Sequence, residues 1–130
     1  MPGELLSSNV NDFGLDYIAT DIGDAALVVY ITSVAATTYL EAASTFALGN
    51  EADITTTGPQ AGDVSGRKIT IDAIAAGDVT GTGTVTHWAL TDGASILIAV
   101  GPLAASQMVT TGNTFTLTEI DIEIPAVVVT

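Results

Sequence analysis

The chain has 130 residues, which by length makes one domain with enough core to need no staples. Its 15 acids stand against Arg67 and Lys68 alone, and the net charge of −13 repels phosphate backbones and anionic lipid, so neither nucleic acid nor membrane is expected as a partner. With no cysteine, no basic leader ahead of an apolar stretch and no apolar run near the roughly 20 residues of a membrane helix, a soluble protein made in the cytoplasm is expected, without disulfides or thiolate metal sites.

In chain order, residues 1–9 are small and polar and read as an extended N-terminal arm. Asn11 or Asp12 can cap a short helix to about Thr20, with Phe13, Tyr17 and Ile18 on one side. Gly14 disfavours that helix, and an irregular segment packing Phe13 and Tyr17 onto a sheet is the alternative. Ala25 to Thr32 (AALVVYIT) is a nearly continuous apolar run, the pattern of a strand buried on both faces. Between Thr37 and Leu48, Tyr39, Ala42, Ala43, Phe46 and Ala47 have helical spacing, with Gly49-Asn50 as a stop signal. A loop anchored by Tyr39 and Phe46 is the competing account.

Glu51 to Thr57 reads as a short strand, and Gly58 to Gly66 (GPQAGDVSG) as a loop. Arg67 to Ala75 alternates Ile69 and Ile71 with Thr70 and Asp72, a strand pattern, and Ala76-Gly77-Asp78 reads as a turn. Thr82 to Leu90 alternates again, Asp92-Gly93 signals a hairpin turn, and Ser95 to Val100 returns as an apolar strand. Gly101-Pro102 then opens a linking segment leading to a turn at Thr111-Gly112-Asn113. From Thr114 to Pro125, Ile120, Ile122 and Ile124 share one face and Glu119, Asp121 and Glu123 the other. The apolar AVVVT of residues 126–130 reads as a tail able to join a neighbouring subunit's sheet edge.

Abundant threonine, valine and isoleucine favour strands, since branched side chains suit a pleated surface. Seven or so short strands with frequent turns predict a mainly β fold: a single antiparallel β-sandwich or jelly-roll-like domain over residues 10–125, with extended arms at 1–9 and 126–130.

Side chains that could carry chemistry are few. His87 is the only histidine, placed mid-strand among threonines, and a strand histidine hydrogen-bonded to a neighbour or to backbone is expected rather than a general base. Glu119, Asp121 and Glu123 project in parallel about 6.5 Å apart along a strand, a solvated face rather than a glycosidase pair or calcium shell. Asp12, Asp16, Asp21 and Asp24 lack the EF-hand spacing, although a loop calcium site near Asp21 and Asp24 is conceivable. Gly81-Thr82-Gly83 lacks the remainder of a phosphate-binding fingerprint. Arg67 and Lys68 are expected to pair with Asp63, Asp72 or another nearby acid, or with an acid on a partner. No catalytic, cofactor-binding or metal-ligating residue is assigned.

The segments TTYLEAASTFALGN (37–50), GPQAGDVSGRKITIDAI (58–74), GTGTVTHWALTDG (81–93) and LAASQMVTTGNTFTLTEIDIEIP (103–125) resemble a family of small virion-associated structural proteins of tailed bacteriophages and prophages. The likeness takes in about two thirds of the chain and departs around residues 21–36. It implies a virion component, not an enzyme, and offers no catalytic residues to carry over. The expectation is a capsid decoration (cement) protein on the capsid exterior, bridging neighbouring major capsid proteins and associating with copies of itself as a dimer or trimer. The alternative is a tail, fibre or head-appendage component with a binding role, for which Tyr39 and Phe46 are the candidate exposed loop aromatics.

Overall fold

The computed structural model describes residues 22–61 and 66–124, together with Leu15 and Ile18. The arm expected over residues 1–9, Phe13 and Tyr17 of the expected helix, and the tail at 126–130 lie outside the described residues. Ile18 and Leu15 are both buried in the core.

Nine strands are described: β1 (Val28–Thr32), β2 (Ala47–Glu51), β3 (Thr56–Ala61), β4 (Arg67–Ile71), β5 (Ile74–Val79), β6 (Gly83–Thr91), β7 (Leu97–Val109), β8 (Thr114–Leu117) and β9 (Ile120–Ile124). Strand accounts for 57% of the described residues and helix for 11%, so the mainly β, antiparallel, single-domain expectation holds. A six-stranded sheet in the order β7-β6-β1-β2-β5-β8 curls into a half-barrel, and a three-stranded sheet β3-β4-β9 adjoins it. Every pair of neighbouring strands is antiparallel.

The AALVVYIT run supplies β1, which has β6 on one side and β2 on the other. Val29 and Ile31 point into the main core beside Val85, Leu90, Ile69, Ile71 and Phe115, so both sheets feed one apolar cluster. Each such side chain, fully buried, contributes about 1.5–3 kcal/mol relative to leaving it in water. On the other face of β1, Tyr30 packs with Ala36, Ala42, Ala89, Leu97 and Val100 in a smaller cluster.

The buried polar side chains of the described residues are all threonines: Thr32, Thr70 and Thr91. A buried hydroxyl needs an acceptor, and each has one. Thr32 Oγ1 donates to the Val34 carbonyl at 2.7 Å, Thr70 Oγ1 to Asp121 Oδ1 at 2.8 Å, and Thr91 Oγ1 to the Val28 carbonyl at 3.1 Å.

Several boundaries differ from the sequence pattern. The run from Arg67 is split at Asp72-Ala73 between β4 and β5, and the run from Thr114 is split at Thr118-Glu119 between β8 and β9. At both breaks the chain crosses from one sheet to the other, and the crossings lie side by side, since Ile74 pairs with Leu117 and Ile71 with Ile120. Asp72 is fixed at its crossing by the hydroxyls of Thr55 (2.6 Å) and Thr57 (2.9 Å).

Ala76-Gly77-Asp78 is not a turn but lies within β5, where Gly77 sits opposite Phe115 of β8. A Cβ on Gly77 would lie under 3.0 Å from three atoms of that ring, so the bare backbone is the seat for the aromatic. Gly101-Pro102 does not end its strand either. β7 continues through it, with Gly101 beneath the Trp88 ring and Pro102 opposite His87. A proline is tolerated there because β7 is an edge strand, whose outer side has no ladder partner to lose.

Gly49-Asn50 is likewise interior to β2, pairing with β5, and does not stop a helix. The helix expected before it is a short π-helical turn, Glu41–Thr45, closed by the Phe46 amide donating to the Glu41 carbonyl at 2.8 Å. Thr38 Oγ1 accepts the Glu41 amide (3.1 Å), and Glu41 Oε1 accepts the Thr37 amide (2.8 Å) and hydroxyl (2.7 Å), a reciprocal cap. Gly58-Pro59 stands inside β3 rather than in a loop.

Candidate binding groove

The polar side chains singled out in the sequence are each held separately. His87, half-buried on β6, has Nδ1 2.8 Å from Thr86 Oγ1, and that hydroxyl donates its one proton to the Ser33 carbonyl at 2.7 Å. Thr86 can therefore only accept from the ring, which places a proton on Nδ1. The expectation of a histidine tied to a neighbour is met. Among the contacts described, no carboxylate joins the pair.

Glu119, Asp121 and Glu123 are exposed, as the alternation predicts. Asp121 takes two of its partners from β4, the Thr70 hydroxyl and Lys68 Nζ at 3.3 Å. The Lys68 pairing thus runs across the β4–β9 ladder to Asp121 and not to Asp72, whose carboxylate the threonines take. Asp63 lies outside the described residues. Arg67 donates from Nη2 to the Pro59 carbonyl at 3.3 Å.

Asp24 accepts the Thr56 amide (3.2 Å) and hydroxyl (2.7 Å); its proposed calcium companion Asp21, with Asp12 and Asp16, lies outside the described residues. Among the described residues no three of His, Asp and Glu converge closely enough to hold a metal ion. Gly81 and Gly83 lie against the Leu48 side chain, and strand β6 follows them, so the pair serves packing. No described helix is long and apolar enough to cross a membrane.

Asp92, Glu41 and Tyr30 are displaced from their ordinary behaviour. The Asp92 carboxyl is held low because its Oδ1 accepts the amides of Ile96, Ser95 and Ala94, which shapes the β6–β7 turn foreseen at Asp92-Gly93. Glu41 is held low by the Thr37 hydroxyl and amide. Burial, aided by a hydrogen bond with Tyr39, pushes the Tyr30 phenol up to about 12. All three are structural contacts. The described aromatics Tyr30, Tyr39, Phe46 and Trp88 are half-buried and Phe115 is buried, so none stands out as an exposed platform.

The feature that sequence reasoning missed is a groove between the two edges of the curled sheet. β7 and β8 are consecutive strands at opposite ends of the strand order, joined by Thr110–Asn113. They approach each other without forming a ladder. Near the turn a single side chain bridges them, Gln107 Nε2 donating to the Thr116 carbonyl at 3.2 Å. Farther from the turn the strands part. Between the pairs Val85↔Gln107 and His87↔Pro102, β7 takes five steps where β6 takes two, so the Leu103–Ser106 backbone swings out of the β6 ladder.

The opening between this bulge and β8 is a cleft of about 410 Å³. It continues into a second of about 330 Å³ toward Trp88 and the β8–β9 crossing. The two share Leu103, Ala104, Leu117 and Thr118 as walls. Among the described residues no charged side chain lines the first cleft, although the chain carries 15 acids; Glu119 and Asp121 line the second. The chemistry on offer is apolar contact and strand-edge backbone, suited to an extended peptide. Comparison with protein-family models, with curated proteins and with solved structures gives no match.

Proposed function

We propose that this chain is a virion structural protein of a tailed bacteriophage, a capsid decoration (cement) protein that bridges neighbouring major capsid proteins from the capsid exterior. The observation that carries the proposal is a strand-dominated body in which a largely apolar groove opens between strand edges, in a chain of net charge −13. Such a body suits passive docking. His87, Asp24, Asp72 and Asp121 each hold a threonine hydroxyl, contacts that brace the body. The negative surface favours approach to a basic outer patch of a lattice, an attraction that steers encounter and weakens with salt.

The test is sedimentation of the purified protein with emptied capsids that lack it. Saturable co-sedimentation, weaker at high salt, is the expected result. Absence of binding at every salt concentration removes the proposal. A tail or fibre module would present aromatic platforms to a receptor, which the half-buried state of Tyr39 and Phe46 does not favour. Copy number per virion separates the two locations.

A further inference from the structure

We infer that the groove between β7 and β8 is a strand-acceptor site, and that its occupant is the Ala126–Thr130 segment of a second copy of this chain. The groove has the form that strand addition requires. Its walls are the two free ends of the six-stranded sheet, and the bulged backbone of Leu103–Ser106 is turned away from β6 toward the opening. An extended chain laid between these edges completes the curled sheet, its backbone meeting both walls and its alternate side chains seating on Leu103 and Leu117. Because β7 and β8 run antiparallel, the inserted strand is antiparallel to one wall and parallel to the other.

Charge selects the occupant. Two copies at −13 repel, so a contact between them must be made where both surfaces are neutral. The first cleft is such a surface, and AVVVT is an uncharged, β-branched segment. The segment PAVVVT contains no glycine, asparagine or aspartate, the residues that favour a tight reversal, and its branched side chains suit an extended strand. The inference is independent of the virion proposal, because it concerns two copies of the purified chain.

The chain lacks cysteine, which makes directed cross-linking clean. Ala104→Cys in the groove and Val128→Cys in the segment, each introduced singly into the full chain, are mixed at millimolar protein under mild oxidation. Exposed Ser44→Cys, on the π-helical turn, serves as the control partner. A disulfide-linked heterodimer of the first pair, well above that of Ser44→Cys with Val128→Cys, is expected. Its yield rises with salt as like-charge repulsion is screened, and falls to control level when Val127→Glu is added to the Val128→Cys chain, with the circular dichroism spectrum unchanged. Equal linking of groove and control overturns the inference. So does a link that forms only within the Ala104→Cys/Val128→Cys double variant and never between chains. Capsids are absent from this assay, so its failure leaves the co-sedimentation result standing, and the reverse holds as well.

Discussion

Replacing Gly77 with alanine tests whether the core is built as described. The new methyl would stand under 3.0 Å from three atoms of the Phe115 ring, and that ring, 2% exposed, has packed core around it rather than solvent to move into. Overpacking of this kind costs about 1–3 kcal/mol. The φ of Gly77 is not positive, so alanine also gains about 0.4–1 kcal/mol by restricting the unfolded chain. The net expectation is a loss of about 1–2 kcal/mol, well below the ~3–5 kcal/mol of deleting a buried phenylalanine side chain. For a domain of this size that lowers the melting temperature by roughly 4–10 °C. Urea and thermal unfolding of the purified variants measure it directly. Gly101→Ala is the internal comparison. Its Cβ would meet Trp88 Cζ2 at 2.6 Å, but that ring is half-buried and can swing outward, so the cost stays below about 1 kcal/mol. Phe115→Leu introduced into Gly77→Ala recovers part of the loss, a coupling visible in a double-mutant cycle. A Gly77→Ala protein with wild-type melting temperature and no coupling to Phe115 refutes the β5–β8 register and the core placement of the ring.

Three further outcomes are expected. Asp121→Ala removes the acceptor of the buried Thr70 hydroxyl and destabilises by about 1–3 kcal/mol, whereas Asp121→Asn keeps an acceptor oxygen and costs less; urea midpoints decide between them. Asp92 and Glu41 are more acidic in the folded chain than their ordinary values of 3.8 and 4.5, so the stability they confer is complete above those values and is lost as pH falls through the lower folded ones. Asp92→Ala therefore lowers the urea midpoint near neutrality, and the difference from wild type closes in strong acid; a constant difference contradicts the amide-capped carboxylate. Tyr30 stays protonated past its ordinary 10.0 up to about 12, so alkaline stability declines across that interval, and Tyr39→Phe moves the late phenolate absorbance step to lower pH.

Much of the fold is legible in the sequence where the apolar pattern is strong. The AALVVYIT strand, the Asp92-Gly93 hairpin and the outward acids of 119–123 appear where the residues place them. The two crossings between sheets were less obvious, yet they leave a mark. Ile69 and Ile71 are followed by Ile74, and Phe115 and Leu117 by Ile120, a spacing of three where a single strand requires two. The alternation slips by one residue at each crossing because a strand that changes sheet must turn its other side to stay facing the core. Glycine misled where the local signal and the tertiary demand differ. Gly49, Gly77 and Gly101 read as punctuation but stand in strand interiors, required by the Asp78 carbonyl, the Phe115 ring and the Trp88 ring respectively. The groove was invisible in the sequence because it depends on how far the sheet curls and on the five-against-two mismatch of β7 with β6, neither of which has a local residue pattern.

Gly77 and Phe115 fill one volume between them, and Gly101 shares a volume with Trp88 less strictly, since that half-buried ring can swing outward. Natural variation at these four places is therefore conditional. A lineage reaches a larger residue at position 77 only after the facing ring has shrunk, and the intermediate carries a void. Relatives of this protein should change the two members of each pair together, giving paired columns that mark the strand register without any structure in hand.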